Sequence, residues 1–405
     1  MIEILKLVLV LAVMIIIIAR KIDLVYAIIA GILLTAILFS HAQNLPQDII
    51  TTITDFEVIN LIIMFIFVFY LSNLLAESGI LKHMLESLEK LIRDVRIVII
   101  SLPFMIGLVP APSGAMLSAP FVEEIGSKIN ITQERKLLIN YWFRHITEYL
   151  NPIYPGPILL VMILGISFKD IFLLNLPIML FVFILGFIMY VAKLKTKNLN
   201  LEKPTKRDIK LIVNGILPIF IAILLPIVFK VNLTISLLFS IILIALVNKI
   251  KINTLKKAFR KSIKLNILLL IFLIMLFKIV LENSRAIELV SNSFLQYGFP
   301  PIFLVITIPF IIGLLTGFTI AYVGAGFPLL LPFLIQSGEV NMGFVLLAYV
   351  SGYMGVLISP AHLCLLVTQK YFKASYTKVY KQLIIPIILV LSFALLLTLV
   401  GWTGF

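Results

Sequence analysis

The sequence predicts an all-α polytopic membrane protein built from two inverted-topology repeats. Each repeat has five transmembrane spans and one re-entrant hairpin, with helices broken at mid-membrane. Three observations predict this class. The first is composition: 61 % of the 405 residues are hydrophobic and 13 % charged, with a mean hydropathy of +1.16. Soluble domains carry about 45–50 % apolar and about 25 % charged residues. The second is run length. Apolar stretches of about 17–25 residues, each able to cross a bilayer core, recur along the chain, and the alternation of a β-barrel is absent. The third is self-similarity at an offset of about 206–209 residues.

Four matches carry the repeat. "KIDLVYAIIAGILLTAIL" (21–38) aligns with "KVNLTISLLFSIILIALV" (230–247), and the run from Asn60 aligns with the run from Asn266. "PFMIGL" (103–108) matches "PFIIGL" (309–314), and Leu138 to Pro152 matches Leu346 to Pro360 without a gap. Any two apolar runs resemble each other, but four matches in one order point to duplication.

The elements follow in order. Repeat 1 covers residues 1–192, with scaffold spans in 1–95 (about 2–19, 22–40 and 58–77, then a helix at 80–94). Residues 96–192 hold an interrupted segment at 96–126, a broken span at 136–166 and a last span at 170–192. A basic linker occupies 193–210. Repeat 2 covers 211–405, with scaffold spans in 211–298 (211–229, 231–248 and 265–282, then a connecting helix). Residues 299–405 hold an interrupted segment at 300–336, a broken span at 342–369 and a last span at 383–402. The first run, with Glu3 before its first lysine and no small-x-small cleavage site, reads as a retained span rather than a signal peptide. The stretch 41–57 reads as an acidic external loop.

Loop charge sets the orientation. If both interrupted segments turn back on the side they enter, the basic loops around Arg20, Lys90, Lys128, the linker, 249–264 and Lys370 share one side. If either segment simply crossed, the asymmetry would collapse. The positive-inside rule therefore favours hairpins and puts both termini outside a cell (inner or plasma) membrane. The same rule accounts for the net charge of +14 without nucleic acid. Cys364 is the one cysteine, so no internal disulfide forms, and it reads as a packed side chain. No GxxxxGK[ST] motif is present, which argues against ATP-driven pumping by this chain.

A helix interrupted at membrane depth exposes unpaired N–H and C=O groups, so such backbone must be buried in protein or line a wet cavity. There are four candidate interruptions: "VPAPSGA" (109–115), "EYLNPIYPGP" (148–157), "TGFTIAYVGAG" (316–326) and "VLISPAHL" (356–363). An arm of about 13 residues reaches roughly 20 Å, past the midplane of a core about 30 Å thick. Half-helix N-termini there suit an anion and C-terminal carbonyls suit Na⁺.

With these features the chain resembles the ion transporter superfamily, which includes divalent-anion:sodium symporters, gluconate permeases and arsenite-type permeases. Within it the sequence is more similar to an uncharacterised family of prokaryotic integral membrane proteins than to members of known substrate. The symporters carry Ser-Asn-Thr at their hairpin tips. Here the first tip reads Pro112-Ser113-Gly114, and the second contains Tyr322-Val323-Gly324-Ala325-Gly326. The resemblance implies an elevator mechanism, in which hairpins and broken spans move against a homodimeric scaffold, and a small anionic solute symported with Na⁺ or H⁺.

The candidate substrate contacts are Ser113, Gly114, Asn151, Thr319, Tyr322, Gly324 and Ser359. Candidates for the coupling ion are His145 and Glu148 for a proton, and the carbonyls around Pro112, Pro152, Gly326 and Pro360 for Na⁺. Arg144 and Glu148, four apart, can pair on one helix face, and ionisable groups inside a membrane default to function. The alternative is a structural ion pair, as for Lys278 with Glu282. His362, after the second break, is a further candidate. No cofactor beyond a coupling ion is expected, and no enzyme activity. The competing readings are a passive channel and a membrane-embedded hydrolase using Glu124, His145 and Glu148; the chain has four histidines and no HExxH pair.

Overall fold

The computed structural model describes residues 2–92, 94–110, 114–194, 203–297, 300–336 and 338–404. The first stretch contains α1 (Ile2–Ala19), α2 (Leu24–Leu38), α3 (Leu45–Thr54), α4 (Phe56–Glu77) and α5 (Ile80–Leu91). Next come α6 (Val95–Ile106), α7 (Ala115–Lys128), α8 (Gln133–His145), α9 (Pro155–Leu164) and α10 (Phe168–Gly186). Beyond the linker lie α11 (Lys206–Val228), α12 (Leu233–Val247), α13 (Ile252–Ser262), α14 (Leu265–Asn283) and α15 (Ala286–Tyr297). The chain closes with α16 (Ile302–Thr316), α17 (Thr319–Ala321), α18 (Phe327–Leu334), α19 (Met342–Ile358), α20 (Leu363–Phe372) and α21 (Tyr376–Leu399). A two-residue antiparallel ladder, Ile335–Gln336 with Glu339–Val340, turns the chain between α18 and α19.

Among the described residues, seven helical segments are long and apolar enough to cross a bilayer: α1, α4, α10 with its π-helical extension to Val191, α11, α14, the α19–α20 pair and α21. The chain is an all-helical polytopic membrane protein. Its surface agrees with this, because Leu246, Leu265 and Leu399 are each at least 70 % exposed, an arrangement that water would penalise and lipid does not. The apolar stretch of α19–α20 is 83 % buried against 22 % for α1. The broken span therefore sits at the centre and α1 at the rim.

Helix starts follow local chemistry. Asp23, Asp55 and Asn232 cap α2, α4 and α12 by accepting a backbone N–H, and Ser167–Asp170 and Thr205–Asp208 form capping boxes at α10 and α11.

Three expectations need correction. The stretch 41–57 is not a plain loop, since it holds a 3₁₀ turn and α3. Asp48 of α3 accepts from Asn283 Nδ2 at 2.8 Å and contacts His41 Nε2 at 2.8 Å, which ties α3 to the end of α14. Basic residues in 249–264 conceal a second short helix, α13. The second hairpin tip is also shorter than 316–326. The helix stops only at Gly317–Phe318, and Tyr322–Gly326 forms a π-helical turn that runs on into α18. Gly324 and Gly326 thus lie inside a helix, and a Cβ at Gly324 would stand 2.2 Å from Ile274 of α14. Of the first tip, Pro112 and Ser113 lie outside the described residues.

Two close crossings hold the centre. A Cβ on Gly107, at the end of α6, would be 2.2 Å from the Arg144 carbonyl of α8. A Cβ on Gly313 of α16 would be 2.2 Å from the Gly352 carbonyl of α19. Small residues let membrane helices approach this closely.

Candidate functional site

The two broken spans are interrupted where prolines remove donors. In the first, α8 passes into a 3₁₀ turn, Ile146–Tyr149, then leaves helical geometry until Pro155 starts α9. In the second, α19 ends at Ser359, whose Oγ accepts from the Ala361 N–H at 3.1 Å before α20 begins.

Breaking the helices frees carbonyls, and buried side chains meet them. Tyr349 Oη of α19 donates to the Glu148 carbonyl at 3.2 Å, and Tyr353 Oη donates to the His145 carbonyl at 3.0 Å. In return Tyr141 Oη of α8 donates to the Leu357 carbonyl at 2.9 Å. At the first hairpin Asn151 Nδ2 donates to the Leu108 carbonyl at 3.0 Å, Tyr154 Oη to Gly107 at 2.7 Å, and Ser72 Oγ of α4 to Pro110 at 3.0 Å. These six carbonyls are satisfied inside the protein, as burial requires.

All four interruptions meet at one cavity of ≈ 190 Å³. Pro110 comes from the first hairpin, Gly317 to Ile320 from the second, Arg144, His145, Glu148 and Tyr154 from the first broken span, and His362 to Cys364 from the second. Phe69 of α4 and Ile267 of α14 form another wall, joined by Lys264, whose ammonium sits 4.3 Å from the Phe69 ring centre. The charged lining residues are Arg144, Lys264 and Glu148, a net excess of one positive charge with the histidines neutral.

Arg144 and Glu148 form a buried ion pair. His145 and His362 approach to 3.1 Å through their Nε2 atoms, and the Cys364 sulfur completes a group with them in which the ligand atoms lie within 4.8 Å of one another. Gly317 makes this possible. Its φ of +63° favours glycine, a Cβ there would stand 2.5 Å from the His362 nitrogen, and its carbonyl contacts His362 Nδ1 at 2.8 Å.

A family described as "Protein of unknown function (DUF401)" matches residues 2–401. The chain belongs to the DUF401 family. No curated protein matches it.

In this DUF401 chain the sequence-derived candidates separate into two groups. Arg144, His145, Glu148, Thr319 and His362 line the cavity. Gly114, Asn151, Pro152, Tyr322, Gly324, Gly326, Ser359 and Pro360 do not. Asn151 is occupied by Leu108 and by the Ile153 N–H, which its Oδ1 accepts at 3.2 Å. Tyr322 is buried with its ring centre 5.9 Å from that of Tyr349. Lys278 lies 3.8 Å from Glu282 and donates to the Met162 carbonyl at 3.2 Å, away from the cavity. Glu124 is exposed and bonded to Lys128 at 2.7 Å, so the set Glu124, His145 and Glu148 is not brought together. Sequence reading missed Tyr154, Lys264, Gly317 and Cys364 as cavity residues. Of these, Gly317, which follows "LLT" at a helix end, carried the clearest signal.

Proposed function

We propose that the chain is a secondary active transporter of a small anionic solute, a carboxylate or an oxyanion, coupled to Na⁺ or H⁺. Its two halves are inverted repeats of the ion transporter type, and it works as a homodimer by elevator-type alternating access. The observation that carries this reading is the single cavity to which all four interruptions contribute. A hydrolase gives no reason for the second half to mirror the first.

The charge of the lining favours an anion. Glu148 offsets Arg144, and Lys264 adds a second cation at the wall. Duplication is supported by the paired glycine crossings: Gly107 and Gly313 occupy the same place in "PFMIGL" and "PFIIGL", and each meets the equivalent carbonyl of its broken span. Two apolar helices with an inherited interruption suit alternating access, because a broken span offers a site without a continuous barrier.

Reconstituted protein should accumulate at least one carboxylate or oxyanion when a Na⁺ or proton gradient is imposed, and Lys264→Gln should raise the KM for it. Proteoliposomes that show no gradient-dependent uptake across a broad panel of such solutes would sink the proposal.

A further inference from the structure

The two cavity histidines face each other in an arrangement that neutral imidazoles do not choose unaided. His145 Nδ1 is 2.6 Å from the Tyr141 carbonyl, and His362 Nδ1 is 2.8 Å from the Gly317 carbonyl. A carbonyl oxygen only accepts, so each Nδ1 carries the hydrogen. In a neutral ring that leaves Nε2 as a bare lone pair. The two Nε2 atoms stand 3.1 Å apart, so two lone pairs point at one another in a buried site.

We infer that His145 Nε2, His362 Nε2 and Cys364 Sγ form a site for one thiophilic transition-metal cation of the Zn²⁺ class. Three features converge on it. A tetrahedral ion with metal–nitrogen bonds of about 2.0–2.1 Å spaces two imidazole nitrogens about 3.3 Å apart, near the observed 3.1 Å. Histidines that bind metals commonly donate their other N–H to a backbone carbonyl, which locks the tautomer and ring orientation, and both rings do so here. The third donor is sulfur rather than oxygen, and two imidazoles with a thiolate select zinc, cobalt or copper(I) over magnesium or calcium.

A proton shared by the two rings would use only two of these donors. The metal would use all three: the Cys364 thiol releases its proton to solvent as the sulfur binds the ion, and a fourth position is left for water or an anion. Because His145 ends α8 and His362 precedes α20, the ion would staple one broken span to the other.

The test needs no transport measurement, so it stands or falls apart from the proposed function. Purified full-length protein in detergent is stripped with a chelator and titrated with Co²⁺. Cys364 is the chain's one cysteine, so a thiolate-to-cobalt charge-transfer band in the near ultraviolet reports on it alone. We expect one Co²⁺ per chain with that band, loss of the band in Cys364→Ser, and at least a tenfold weaker affinity in His362→Gln. Zn²⁺ should displace the Co²⁺ and slow alkylation of Cys364 by maleimide. Wild-type protein that takes up no Co²⁺, or binds it without the sulfur band, overturns the inference. So does binding that Cys364→Ser leaves intact, which would place the ion on a histidine elsewhere. The wild-type titration decides the matter even if a variant fails to fold.

Discussion

Arg144 and Glu148 illustrate how much rests on single residues at the centre of this protein. Their relation was legible, because charges four apart on a helix meet on one face. Their burial beside a cavity was not. With both side chains buried, removing one partner leaves an uncompensated charge, which costs about 3–5 kcal/mol. Glu148→Gln should therefore lower the melting temperature in detergent substantially. The double variant Arg144→Met/Glu148→Leu should recover most of that loss, since a buried pair replaced by apolar side chains of similar volume is often neutral. Equal melting temperatures for wild type and Glu148→Gln would show that the pair contributes nothing to stability. Asn151 teaches the complementary point. It stood out as a polar residue before a proline in an apolar run, yet its amide is consumed in holding the first hairpin. Cys364 carried no motif at all, and only its neighbours make it notable.

At the scale of elements, spans and interruptions were largely visible. Length and hydropathy mark a span, and Pro or Gly marks its break. Helices α3 and α13 escaped because their polar and basic residues read as loops, and short amphipathic helices depend on the surface they lie on. The π-helical turn at Tyr322–Gly326 escaped because two glycines within five residues imitate a loop. The glycine crossings make a direct test. Gly107→Ala and Gly313→Ala each place a methyl 2.2 Å from a backbone carbonyl, which no side-chain rotation relieves. Each should destabilise by about 1–3 kcal/mol as an overpacking change, read as an earlier thermal unfolding transition. Gly165→Ala, where nothing lies within 4 Å, brings no such clash and separates crowding from the backbone strain that its φ of +68° imposes. A melting temperature unchanged in both Gly107→Ala and Gly313→Ala would show that the two crossings are not tight.

At the scale of the whole molecule, orientation follows from charge. Under the proposed topology the basic linker faces the cytoplasm and α3 faces outward. A cysteine introduced at Lys206 should be labelled by a membrane-impermeant maleimide only in inside-out vesicles, and one at Gln47 only in intact cells. In both cases Cys364→Ser provides the background. Labelling of both positions from one side would dismantle the re-entrant model.

Sequence by itself determined that this is a helical membrane protein, where its long apolar helices lie and where they are interrupted. Those properties are local: hydrophobic length, proline and glycine act on the residues beside them. Only the tertiary structure decided what meets at the failures. His145 and His362 are separated by 217 positions, and Lys264 and Gly317 join them from two further elements. Which side chains share a cavity depends on helix crossings and on a left-handed turn at one glycine, and those are set by packing between distant parts of the chain.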